Sequence, residues 1–331
     1  MSSPAGPGSD EPRLYRRLTM ELADRLTEPA LRCEEGEVRD LDRNHVVRVS
    51  DYDVGTAARC QAKAAAAPSE FEPSIFTTSR AVALRSMRWL RRTGSVVEAV
   101  GHTMRRARQA DHDPSDGAPA PDIDWLGEYL GDPALAPIDV RVRIAARATT
   151  WLTTTLDVLG VDDPKQTQGW RFDIRPRWRY PGRGLALDGR VDLALPIVGN
   201  HTPVFVLASL HPAVLDQAAF NICLWTINQR KPPDEVLVVE LPTASLHRLA
   251  VDELFDRGVD AAARAAEAVT ARTPGADEPI VRLTRSPSDF TCSDCGWAAG
   301  CQAKSEFDRQ PVHRGGIQLT PSPRTAVPPS G

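Results

Sequence analysis

The chain has 331 residues, of which 41% are hydrophobic and 25% charged, the balance of a globular protein with a real core. That excludes collagen, coiled coil, mucin and wholesale disorder, and no stretch approaches the ~20 apolar residues of a membrane span. Net charge is −4, so the whole molecule has no bulk attraction to nucleic acid or to an anionic membrane. The opening residues, MSSPAGPGSDEPRL, lack the basic and apolar regions of a secretory signal. The expectation is a cytoplasmic protein without membrane contact.

Residues 1–12 and 309–331 are small, polar and Pro/Gly-rich, and read as disordered tails around one domain, 13–308. Within it, 78–109 reads as a helix in two pieces. Leu84, Met87 and Leu90 form one stripe, and Val96, Val100 and Met104 the next. An acidic Pro/Gly loop follows at 112–124, then a helix at 138–159, so that about 78–160 forms a helical insertion. From Trp170 the period becomes two. Asp188-Gly189, set between the apolar runs Leu185–Leu187 and Val191–Leu193, predicts a hairpin turn. Residues 203–210 predict an apolar strand, 213–229 a helix, 235–241 a second buried strand, and 245–272 an Ala-rich helix. The sum is a mixed α/β domain, one central sheet flanked by helices.

Of 40 basic residues only four are Lys, and Arg forks onto phosphate where Lys does not. Arg80 to Arg108 holds eight Arg against Glu98, and Lys165 to Arg190 holds seven basic residues against Asp173 and Asp188. The aromatic rings of Trp170, Phe172, Trp178 and Tyr180 interleave with the second run. Arg beside aromatic rings suits phosphate contact with base stacking. Candidate nucleic-acid contacts are therefore Arg88, Arg91, Arg92, Trp170, Arg171, Arg177, Trp178 and Arg179. Solvated faces of an Arg-rich chain are the alternative.

The sharpest motif is Cys292-Ser-Asp-Cys295 followed by Cys301. Two cysteines three apart wrap a metal or a corner of an iron–sulfur cluster, and three require a fourth ligand to close it. Cys60 and Cys33 are the candidates. Cys223 falls inside a helical apolar pattern, where a thiol behaves as a small hydrophobe. Spacing does not separate a 4Fe-4S cluster from zinc.

Together, the early cysteine, the α/β pattern and the terminal Cys-x2-Cys-x5-Cys resemble the iron–sulfur RecB-like nucleases of the PD-(D/E)XK superfamily, which include AddB and CRISPR-adaptation nucleases. Val49-Ser50-Asp-Tyr52 ahead of Ala-Arg-Cys60 matches the family's setting for its first cysteine. The resemblance thus implies Cys60, Cys292, Cys295 and Cys301 as ligands of a 4Fe-4S cluster. It also implies a restriction-endonuclease-like mixed sheet, with the N- and C-terminal segments joined by that cluster. WhiB-like regulators share the spacing, but their ligands lie within one short segment.

The same resemblance implies Gly-x-x-Asp on one strand, an acid-x-Lys triplet on the next, and Gln-x-x-x-Tyr on the following helix. Such carboxylates hold Mg²⁺ and the Lys helps generate the attacking hydroxide. Gly189-Arg-Val-Asp192 and Gln217 match. Leu207 and Ser209 stand in place of the acid and the Lys, Asn221 in place of the Tyr, and Glu98 in place of the His of an upstream Gly-x-x-x-His. A catalytically degenerate protein that binds DNA, or a protein of a DNA-processing complex, is the expectation. Two others remain: an active nuclease using Mg²⁺ through relocated ligands such as Glu98 or His211, and a redox- or metal-responsive regulator.

Overall fold

The structure is a computed structural model that describes residues 11–35, 47–65, 73–108, 124–179, 185–197, 200–207, 210–270, 301, 303 and 305–306. Its elements run α1 (Glu11–Glu35), β1 (Val47–Ser50), α2 (Asp51–Ala57), α3 (Gln61–Ala65), α4 (Ile75–Thr93), α5 (Val96–Arg108), α6 (Asp124–Gly131) and α7 (Ile138–Val158). There follow β2 (Arg171–Ile174), β3 (Arg177–Arg179), β4 (Leu185–Asp188), β5 (Val191–Ile197), β6 (Asn200–Leu207), α8 (Pro212–Gln229), β7 (Val236–Glu240), β8 (Ser245–Leu249) and α9 (Val251–Thr270). The α/β class expected from the sequence is what the chain forms.

β6 and β7 show why the fold has three layers. They pair in parallel, and their side chains alternate between two cores, as a strand buried on both faces requires. Phe205, Leu207, Val236 and Val238 enter a core shared with α1, α2, α8 and α9. Val204, Val206, Leu237 and Val239 enter a second core with α4 to α7. α8 makes the crossover between the two strands and is buried almost all round; Phe220, Ile222 and Trp225 are at most 1% exposed.

Two expectations need correction. Asp188-Gly189 is not a hairpin turn, because β4 and β5 do not pair with each other. β4 pairs with β3 and β5 with β2, in one unbroken register: Arg171 faces Ala194 at one end and Arg179 faces Ala186 at the other. The chain therefore builds a single bent antiparallel ribbon, and the Gly189 N–H donates to the Pro176 carbonyl at 2.9 Å across the bend. Gly is needed there for room, since a Cβ would stand 2.7 Å from Asn221 Oδ1 and 2.9 Å from Leu224 Cδ1 of α8. β1 extends the β4 half in parallel, while β6, β7 and β8 extend the β5 half.

The Ala-rich helix starts at Val251 rather than at 245, because Ser245–Leu249 alternates at period two and pairs antiparallel with β7. α6, which begins at Asp124, and the helix α1, which takes in residues 11 and 12 of the expected N-terminal tail, went unanticipated. The tail at 309–331, and nearly all of the 112–124 loop, lie outside the described residues. Among the described residues no helix is long and apolar enough to cross a membrane.

Candidate functional site

Asp192 lies on β5 beside the bend and is 1% exposed. A buried carboxylate must be compensated, and here the compensation is cationic. Both Asp192 oxygens accept from Arg80 Nη2 at 2.9 Å, and Oδ2 also accepts the Val206 N–H of β6 at 2.9 Å. Arg80 is set in place by the start of α4. There Ser74 forms a capping box with Thr77, the local signal that begins a helix, and Arg80 follows within the next two turns. The Asp192 charge in turn raises the pKa of the Arg80 guanidinium.

Asp173 occupies the position that faces Asp192 across the ribbon, at a φ of 49° in the left-handed region that Asp tolerates better than most residues. Arg190 Nε lies 3.0 Å from Asp173 Oδ1 and 3.8 Å from Asp192 Oδ1, and Arg175 Nε lies 3.2 Å from Asp173. Burial raises the Asp173 carboxyl, but Arg190, Arg175 and Arg88 outweigh it and hold the group below its ordinary value. Asp51 completes the cluster. Its carboxyl is pushed up by burial, against the pull of Arg190, Arg80 and Arg175.

Arg85 and Arg88 project from the same side of α4 and stand at the edge of this network. At about 100° per residue, Arg80, Arg85, Arg88, Arg91 and Arg92 all fall within an arc of roughly 140°. Arg85 is partly buried, and burial pushes it down to about 10, with Asp173, Arg190, Arg88 and Arg175 its charged neighbours. It still carries its charge at neutral pH. Among the described residues neither Arg85 nor Arg88 has a hydrogen bond or an ion pair.

Further along, Arg92 and Arg106 lie over the Trp89 ring at 5.0 and 5.1 Å. His102 packs on the same ring with centroids 4.1 Å apart. Burial, with Arg105, Arg106 and Arg92, lowers the His102 pKa.

The other sequence candidates divide. Gln217 comes to this site: its Nε2 donates to the Asp51 carbonyl at 2.7 Å and packs against Gly55, tying α8 to α2. Asn221 accepts the Arg190 N–H at 2.9 Å. Leu207 is 6% exposed within the apolar core under α8, and Ser209 lies outside the described residues. His211 caps α8, its Nδ1 accepting from the Ala213 N–H at 3.2 Å, and Glu98 is exposed in the first turn of α5. Neither joins Asp192 in a group able to hold a metal, and among the described residues no three His, Cys, Asp or Glu side chains converge to do so.

Arg91, Arg92, Arg171 and Arg179 are exposed as a nucleic-acid contact requires, whereas Arg177 is drawn to Asp188 at 3.0 Å. Of the aromatic residues expected to stack, Trp170, Phe172 and Trp178 are each partly buried. Trp170 and Phe172 pack against the core under α4, and Trp178 against the other core. Trp89, also partly buried, is the ring that the exposed Arg92 and Arg106 cover.

Cys292 and Cys295 lie outside the described residues, as does the side chain of Cys33. Cys60 follows α2, whose start Ser50 caps in a box with Asp53. The adjoining Gln61 donates to the Arg264 carbonyl at 3.3 Å and to Glu267 at 3.0 Å. Cys60 therefore stands beside the last turns of α9, the helix after which the chain runs on toward Cys292, Cys295 and Cys301. A partly buried thiol at that junction fits a ligand that joins the two segments. Cys223 is fully buried, and burial pushes its thiol up, the behaviour of a small core residue.

Sequence reasoning missed the arginine that seals Asp192 and the pairing of Asp173 with Asp192. Arg80 and Asp192 are 112 positions apart, and no local pattern links them. Compared with known proteins, the chain matches no family model, no curated protein and no solved structure.

Proposed function

We propose that this chain is a catalytically degenerate, restriction-endonuclease-like protein that binds DNA, in the cytoplasm, in repair, recombination or defence. The observation that carries the reading is the Arg80–Asp192 pair. The carboxylate that a nuclease of this kind would turn toward Mg²⁺ is instead buried and held by a guanidinium at 2.9 Å. A divalent ion would have to displace a charge-assisted, doubly bonded partner, and Mg²⁺ needs anchored oxygen ligands to give up its water. The neighbouring strand supplies Leu207, an apolar residue, and no acid at that position. The order β5, β6, α8, bearing Asp192, Leu207 and Gln217, supports the resemblance. Cations gathered on α4 and the ribbon support an anionic polymer as ligand.

Cys60, Cys292, Cys295 and Cys301 would hold a 4Fe-4S cluster. When bound, it supplies a cross-link between the chain near 60 and the chain near 300. Closing so long a loop stabilises the fold chiefly through the unfolded state. Anaerobically purified protein is expected to be brown and to lose its iron on Cys295→Ala while keeping it on Cys223→Ala; stoichiometric zinc would replace the iron assignment. Given Mg²⁺ or Mn²⁺ and single- or double-stranded DNA, the protein is expected to bind without cutting. Robust cleavage that disappears in Asp192→Ala would overturn the degenerate reading.

A further inference from the structure

We infer that Arg85 and Arg88, with Arg175 and Arg190 beside them, form a subsite for the dianionic phosphate of a phosphate monoester. Its identification as a nucleic-acid end rests on the reading above; the subsite itself rests on the charge cluster alone.

Charge sets the ligand. The network contains five arginines (80, 85, 88, 175 and 190) and three aspartates (51, 173 and 192), and its ion pairs are already allotted. Arg80 is spent on Asp192, and Arg175 and Arg190 on Asp173. Among the described residues that leaves the two positive charges of Arg85 and Arg88 as an excess without an ion pair. A guanidinium has five N–H donors and no means of losing its proton near neutrality, so a partly buried one without a partner is a donor set awaiting an acceptor. Asp173 cannot serve, since its carboxylate is already shared. Asp51 makes no ion pair with either among the described residues, and burial raises its pKa.

The arriving group must bring roughly two negative charges and several acceptor oxygens. A phosphate monoester carries about −1.5 to −2 at neutral pH with three terminal oxygens. A phosphodiester in mid-strand carries one charge and meets only half of the excess. Spacing agrees: Arg85 and Arg88 are three apart on α4 and so neighbours on its surface, placed to fork onto one group from one side.

The test is calorimetric titration of the full-length, cluster-loaded protein with inorganic phosphate in chloride buffer, alongside fluorescence binding of an oligonucleotide with and without a 5′-phosphate. Saturable phosphate binding is expected. Arg88→Gln, at an exposed position, should weaken it roughly tenfold, the scale of one lost charge-assisted hydrogen bond, and Arg85→Gln with Arg88→Gln should abolish it. Should the double variant fail to fold, Arg88→Gln alone decides. Absent phosphate binding, or binding indifferent to Arg88→Gln, overturns the subsite, even where the oligonucleotide still binds through Arg91 and Arg92. Phosphate binding lost in Arg88→Gln, with an oligonucleotide indifferent to its 5′-phosphate, upholds the subsite and overturns the nucleic-acid end as its occupant. Tighter binding of the phosphorylated oligonucleotide, lost in Arg88→Gln, upholds both.

Discussion

Against one face of the sheet, Arg257 and Arg264 of α9 close on Asp216 of α8 at 2.6 and 2.7 Å. Against the other, Arg85 and Arg88 of α4 close on nothing among the described residues. The first layer is a fitted joint. A Cβ on Gly258 of α9 would stand 2.5 Å from Cys223 Sγ and 2.7 Å from the Ala219 carbonyl of α8, so the two helices meet nearly backbone to backbone. The second layer spends Arg80 on a buried carboxylate and leaves its neighbours to solvent. Arginine is a structural clamp on one side and an unfilled valence on the other, because Asp216 is free to pair with α9 whereas Asp173, near Arg85 and Arg88, is already paired with Arg175 and Arg190.

The contrast breaks most visibly at Arg80. Arg80→Met strands the Asp192 carboxylate at 1% exposure and should cost about 3–5 kcal/mol of unfolding free energy by urea titration. Arg80→Met with Asp192→Leu should recover most of that loss, since removing both members of a buried pair is far less costly than removing one. Next comes Asp216→Ala, which frees two half-exposed arginines and should cost about 2–3 kcal/mol, the scale of hydrogen bonds to charged groups. Gly258→Ala tests the same joint by crowding and should cost about 1–3 kcal/mol, with Cys223→Ala relieving part of it.

The smallest effect has the opposite sign. Arg85 has a folded pKa depressed to about 10, so the native state pays for its charged form below that pH and is relieved as pH rises through it. Arg85→Met should therefore raise stability at pH 7 by up to about 1 kcal/mol, a few degrees in Tm. The gain should fade as pH rises past 10. A loss of stability instead would mean that Arg85 has found a carboxylate and that the second layer is as closed as the first.

Much of this division could be read from the chain and some of it could not. α4, α5 and α7 announce themselves by apolar stripes at helical spacing, and β6 and β7 by short apolar runs, because burial on one or both faces writes itself into local order. The bend at Gly189 misled, since Asp-Gly between apolar runs is the common signature of a turn. Here the glycine serves a close approach by α8 instead. β8 was hidden by the alanines after it. At the site, Asp192 and Gln217 were visible as motif positions, but Arg80 was one arginine among eight in its run. Only the folded chain shows which of them faces a carboxylate and which faces none.

The unbroken register of the ribbon has a consequence for how the sequence can change. Each strand side of the bend fixes the facing of the other, so one residue inserted or deleted between 171 and 179 would turn every side chain beyond it to the opposite face. Trp178 would leave its core, or Asp173 its place opposite Asp192. Length inside the ribbon is therefore expected to tolerate change as poorly as its polar positions do.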